Sequence, residues 1–138
     1  MKTFTLALSG TPIHLKRPRM AKGRMYDSQV DIKEITYWEV SYLLSKEYPR
    51  IHRKPCSVDF QFFFAPPKSL SKKKQALLID TPHIKKPDID NLIKFYLDAC
   101  DALLYHNDSQ VYKVTASKHY ATEARTIISI TIGDDNES

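Results

Sequence analysis

Residues 3–9, TFTLALS, alternate apolar and polar positions, and a period of two predicts a strand. From about Gln29 to Glu47 the period lengthens. Val30, Ile35, Trp38, Tyr42 and Leu43 fall at helical spacing, so a helix with this apolar face is expected, ended by Pro49. CSVDFQFFFA (56–65) predicts a second, aromatic-rich strand, stopped by Pro66 and Pro67. SLSKKKQALLI (69–79) predicts a short helix opened by Ser69 or Ser71. The clearest helix is 88–104. Two β-prone runs, 109–120 and 125–132, are separated by a short turn and predict a hairpin. Residues 10–28 hold Gly10, Gly23, Pro12 and Pro18 and read as a long loop, and 81–87 as another. The tail GDDNES is expected to fray. These elements predict an α/β chain of the α+β type: one domain over residues 1–138, with a small mixed sheet of about four strands and packed helices.

Composition narrows the class. A chain of 138 residues is one domain with room for a core. No run approaches the roughly 20 apolar residues of a membrane span. The apolar stretch near the N-terminus is short, about six residues, and no small-residue cleavage site follows, so a strand is preferred to a signal peptide. Cys56 and Cys100 cannot build a disulfide framework, and a reducing, cytoplasmic location is the simplest expectation.

Charge is divided along the chain. Residues 1–86 carry 17 Lys+Arg and 7 Asp+Glu, whereas residues 87–138 carry 4 and 9. A basic part points to a polyanionic partner, and gathered carboxylates point to a cation. Solvated surface is the plain alternative for both.

On the 88–104 helix, Ile89, Leu92, Ile93, Tyr96, Leu97, Cys100, Leu103 and Leu104 span about 140° of arc at 100° per residue. Asp90, Lys94, Asp98 and Asp101 form a separate polar stripe. Asp88 stands at the start of the helix. Each acid has an ordinary reading. Asp88 suits an N-cap, Asp90 suits a first turn, Asp90 and Lys94 suit an i,i+4 pair, and Asp108 suits a turn. Together they also fit phosphodiester hydrolysis. Carboxylates holding Mg²⁺ neutralise the phosphate and supply hydroxide, and a nearby Lys stabilises the transition state. A helix followed by an adjoining strand is expected to bring Asp88, Asp90 and Asp108 together. The five histidines show no zinc spacing, and hydrogen-bonding or solvated roles are preferred for His83 and His106. With three glycines and no phosphate loop, a nucleotide cofactor is not expected.

The text K-P-D-I-D-N-L-I-K followed by H-N-D-S-Q-V resembles the RusA family of endodeoxyribonucleases, which resolve Holliday junctions. Its signature, D-x-D-N-L-x-K at a helix start and then D-[AS]-Q-[VI] leading into a strand, matches Asp88, Asp90, Asn91, Leu92, Lys94, Asp108, Gln110 and Val111. The flanking segments Arg17 to Tyr26 and Lys68 to Asp88 are similar to the longer, phage-associated members. The resemblance implies a RusA-like domain and a Mg²⁺-dependent homodimer acting on four-way DNA, with Mn²⁺ a possible substitute. It implies Asp88, Asp90 and Asp108 as metal ligands and Lys94 as the catalytic lysine. Asn107 departs from members that carry a second acid there. A structural hydrogen bond is preferred to metal binding for Asp98.

A resolvase must hold DNA backbones, because phosphate contacts dominate affinity. The candidates are Arg17, Arg19, Lys22 and Arg24, then Lys72, Lys73 and Lys74, and Lys85 and Lys86 beside the acidic pair. For Lys72–Lys74 a solvated helix start is an equal reading. Phe95 lies between the two stripes. Core-edge packing is preferred for it, with a junction wedge or a dimer contact as alternatives. Two rivals to resolution stand: a less selective nuclease of forks and flaps, and a DNA-binding protein without catalysis.

Overall fold

The computed structural model describes residues 1–50 and 52–133. The tail after Gly133 lies outside them. Strand β1 (Lys2–Ser9) is followed by the short strands β2 (Arg19–Ala21) and β3 (Arg24–Tyr26), then helix α1 (Val30–Leu43) and strand β4 (Cys56–Phe64). Helices α2 (Lys72–Leu78) and α3 (Ile89–Ala99) precede strands β5 (Val111–Tyr120) and β6 (Arg125–Ile132). The main sheet has the order β1-β6-β4-β5. Pairing is antiparallel for β1–β6 and β4–β6 and parallel for β4–β5, so the sheet is mixed, as the sequence predicts.

Period-two patterning builds the core. Val58, Phe60, Phe62 and Phe64 of β4 and Ile128, Ile130 and Ile132 of β6 bury one face, joined by Leu6 and Leu8 of β1. Leu92, Phe95, Tyr96 and Ala99 of α3 close over that face. Phe95 is fully buried, so it is a core side chain and not a wedge. It can be buried off the main apolar arc because α3 is covered on a second side by α1.

Three expectations are corrected. The two last strands are not a hairpin, because β4 lies between them. The 121–124 connection passes over the end of β4, where Ala121 N–H donates to Phe64 O at 2.9 Å. The most heavily buried strand takes the centre, and its neighbours are joined across its end.

The loop 10–28 contains a hairpin. Lys22 and Gly23 both have positive φ, 51° and 76°, the left-handed pair that a two-residue connection requires.

Helix α1 presents the face expected to be apolar and buried to solvent. Tyr42 is 89% exposed, and Val30, Ile35, Trp38 and Leu43 are exposed as well. Its inward stripe is instead Ile32, Lys33, Thr36, Tyr37 and Val40. The polar members of that stripe are satisfied locally. Thr36 Oγ1 donates to Ile32 O at 2.8 Å, and Lys33 pairs with Asp27 and Asp98, each at 2.7 Å. Hydrophobicity alone therefore selects the wrong side. Asp98 has the structural role preferred for it.

Helix boundaries also tighten. α1 ends at Leu43, well before Pro49, and α3 ends at Ala99, with Ala102 at φ 61° in the turns that follow. Ser71 is the cap of α2, its side chain accepting from Lys74 N–H at 3.2 Å. Among the described residues no helix is long and apolar enough to cross a membrane.

Candidate functional site

Asp88 occupies the N-cap position of α3, yet its side chain makes no capping hydrogen bond. The helix begins without using this carboxylate, which stays exposed on the surface. Asp90, one residue inside the helix, also points outward and stands 3.9 Å from Lys94 Nζ. A contact that long between exposed groups contributes little to stability.

The loop before α3 is held firmly. Lys118 of β5 donates from Nζ to Lys85 O at 2.6 Å and to Pro87 O at 2.7 Å. His83 N–H donates to Lys118 O at 3.0 Å, and the His83 ring stacks on Phe64 at 4.1 Å between centroids. Burial lowers the pKa of Lys118, and the nearby Asp88 charge opposes that shift. Burial also lowers the pKa of His83, with the Lys118 charge adding to it, and His83 Nδ1 is buried with no hydrogen-bond partner among the described residues. A cleft of about 560 Å³ opens here, lined by His83, Lys85, Lys86, Asp88, Asp90 and Lys118.

Asp108 lies elsewhere. It begins the 3₁₀ turn Asp108–Gln110 that leads into β5. Asn107 shapes that turn: its side chain accepts from Ser109 N–H at 2.8 Å, and its own N–H donates to Gln110 Oε1 at 2.9 Å. Gln110 then donates to the carbonyls of His52 and Lys54, both at 3.0 Å. Asn107 and Gln110 build the turn, and the Asp108 carboxylate stays exposed.

The expectation that one chain gathers all three acids is corrected. The Asp108 turn adjoins Cys56 at the start of β4, whereas Pro87 shares a cleft with Phe64 at its end. Eight residue steps at about 3.3 Å each separate these ends by roughly 25 Å. Among the described residues no three His, Cys, Asp or Glu side chains form a metal-holding group. Asp88 and Asp90 alone still fit a hard cation. They offer two exposed carboxylates, Asp90 held only by the long contact to Lys94, and Mg²⁺ is commonly held by one or two carboxylates with water completing the shell.

The other basic candidates divide. Lys85 and Lys86 line the cleft at the acidic pair. Arg19 lines the neighbouring cleft that contains Pro87. Arg17, Lys22 and Arg24 are exposed on or before the β2–β3 hairpin, and Lys72, Lys73 and Lys74 are exposed in the first turn of α2. Neither group lines the clefts around Asp88. Sequence reading missed Lys118, whose signal is weak: a lysine in a β-prone run looks like any outward strand position.

Residues 9–131 match the family described as Endodeoxyribonuclease RusA. The chain belongs to that family. The match runs from the end of β1 into β6, so the family assignment covers three of the four sheet strands, the α3 acids and the Asp108 turn alike. Membership makes this an endodeoxyribonuclease fold whose partner is DNA. Over 143 aligned residues the chain is 32% identical to the uncharacterized protein YqaN of Bacillus subtilis strain 168, covering 94% of this chain and 96% of that protein.

Proposed function

We propose that the protein is a Mg²⁺-dependent endonuclease that resolves four-way DNA junctions by paired symmetric nicks, acting in recombination and repair in the cytoplasm. The observation that carries this reading is the Asp88 carboxylate, which sits at a helix N-cap and makes no capping bond there. A merely structural aspartate at that position would be expected to bond the first-turn N–H groups. With Asp90 it faces a cleft edged by Lys85, Lys86 and Lys118.

In this reading Asp88 and Asp90 hold the metal. Bound there, the ion supplies Lewis-acid neutralisation of phosphate charge and a lowered pKa for water. Lys94, one turn along α3, supports charge developing on the phosphate. Lys85 and Lys86 hold the backbone beside the cut. Arg17, Arg19, Lys22 and Arg24 contact the arms of the junction, and Lys72–Lys74 provide weaker and more distant attraction.

The chain works as a homodimer. A two-fold junction needs two equivalent sites, which a two-fold dimer provides. Because Asp108 lies at the other end of the sheet from the acidic pair, the second copy is the source of its carboxylate. Mn²⁺ would replace Mg²⁺ through the same hard oxygen ligands.

Cleavage of a labelled four-way junction with and without Mg²⁺ tests the proposal. Asp90→Asn is expected to abolish cutting while binding persists. Cutting at the wild-type rate by that variant would overturn the site. Equal cutting of forks, flaps and junctions would replace resolution by a broader branched-DNA activity.

A further inference from the structure

The segment 13–16, one stretch of the expected loop 10–28, is pinned at nearly every residue. Ile13 N–H donates to Tyr96 Oη at 3.0 Å, and Leu15 N–H donates to Asn91 O at 2.9 Å, both on α3. Gln29, only 4% exposed, closes the other side. Its Oε1 accepts from Lys16 N–H at 2.8 Å, and its Nε2 donates to His14 O at 2.9 Å. Ile13 and Leu15 pack on the core, while His14 and Lys16 line open clefts.

Both residues line clefts that border the site. His14 lines a cleft with Lys86, Pro87, Asp88 and Asn91. His14, Lys16 and Arg19 line a larger cleft of about 690 Å³ that also reaches Pro87. The clefts share residues and so adjoin. Together they make a track that passes Asp88, with Lys85 and Lys118 on one side and His14, Lys16 and Arg19 on the other.

We propose that His14 and Lys16, clamped by Gln29, form a phosphate-binding station for the strand that crosses Asp88, on the opposite side of the cut from Lys85. The proposal rests on the nuclease reading above and adds where the cleaved strand runs. A polyanion that crosses a carboxylate pair needs cations on both flanks, since phosphates repeat along each strand about every 3.4 Å of helix axis. Rigid presentation matters because ordering a flexible loop on binding would offset the contact. The four main-chain anchors remove that cost before DNA arrives.

The test measures junction binding by the full chain, without Mg²⁺, across a range of salt concentrations. His14→Ala with Lys16→Ala is expected to weaken binding about tenfold or more and to lower the log–log salt slope by about one. Lys46→Ala, a control at an exposed lysine just after α1 with no assigned contact, is expected to leave the slope within error. A single methylphosphonate, placed in turn at each position flanking the cut, should weaken wild-type binding at one position on the side away from Lys85. There it should have no further effect on the double variant. An unchanged slope, or a methylphosphonate penalty equal in both proteins at every position, overturns the station. The two readings fail separately. A wild type that binds but never cuts with Mg²⁺, alongside a weakened double variant, sinks the nuclease and keeps the track. A cutting wild type whose double variant binds and cuts normally sinks only the track.

Discussion

Lys118 Nζ lies 2.7 Å from the carbonyl oxygen of Pro87, which ties the far end of β5 to the residue just before Asp88. The second bond, to Lys85 O, makes this ammonium a tether for the whole approach to α3. Lys118→Met keeps the length of the side chain and removes both bonds. Charged hydrogen bonds are worth about 1.5–3 kcal/mol, reduced here by partial exposure. We expect a stability loss of about 1 kcal/mol in urea denaturation, and a fall in single-turnover cleavage of about tenfold, equivalent to ~1.4 kcal/mol. Lys113→Met, exposed on the same strand, should change neither.

His52 is buried and held as the neutral ring. One nitrogen, Nε2, lies 2.7 Å from Leu104 O, while Nδ1 accepts from Lys54 N–H at 3.1 Å. Burial lowers its pKa, and the Lys54 charge adds to this against the Leu104 bond. His83 is lowered too, again chiefly by burial. Below the ordinary histidine value of 6.5 the unfolded chain binds these protons first. Stability is therefore full above that pH and falls as pH drops toward the folded values, by at most about 1.4 kcal/mol per pH unit for each ring. The midpoint of thermal unfolding should be lower at pH 5.5 than at pH 7.5. The gap should shrink in His52→Gln and His83→Gln.

Leu92 lies inside the D-x-D-N-L-x-K text, yet it is fully buried under α3. Leu92→Ala should cost about 2–5 kcal/mol through lost burial and the cavity left behind. Chemical denaturation reads this as a lower midpoint at an unchanged slope. Any loss of cutting should track the folded fraction, unlike the loss in Asp90→Asn, where the fold persists.

The placement of Asp108 and the acidic pair at opposite ends of β4 gives a mixing experiment. Asp90→Asn and Asp108→Asn homodimers are each expected to be inactive. Co-refolded together, they should yield some dimers with one intact site, in which Asp90 and Asp108 come from different copies. Such dimers nick one strand and do not resolve the junction. No nicking from the mixture would show that the acids do not act between copies.

The strands were legible because alternation is a local signal, and β1, β4 and β6 follow the expected limits to within one residue. Strand order was not legible. A short link between β5 and β6 looks the same whether they pair directly or flank β4. The inward side of α1 was hidden because half-buried Lys33 is ion-paired and buried Thr36 bonds the backbone, positions that hydropathy scores as exposed. The acidic text could be read as a motif, and the structure divides its residues by task. Leu92 packs the core, Gln110 braces the turn, and Asp88, Asp90 and Asp108 keep their carboxylates exposed. Gln29 and Lys118 were invisible, because their partners are main-chain carbonyls and amides set by the fold.

Cys56 and Cys100 are both fully buried, and burial pushes their thiols up to about 11 and about 12. A thiol so placed forms almost no thiolate near neutral pH, so the native chain resists alkylation and peroxide. Opening the core exposes both at once. Modification by an excess of maleimide then serves as a clock for global unfolding, read by mass spectrometry in the same tube as the cleavage assay. It separates variants that have lost chemistry from those that have lost the fold.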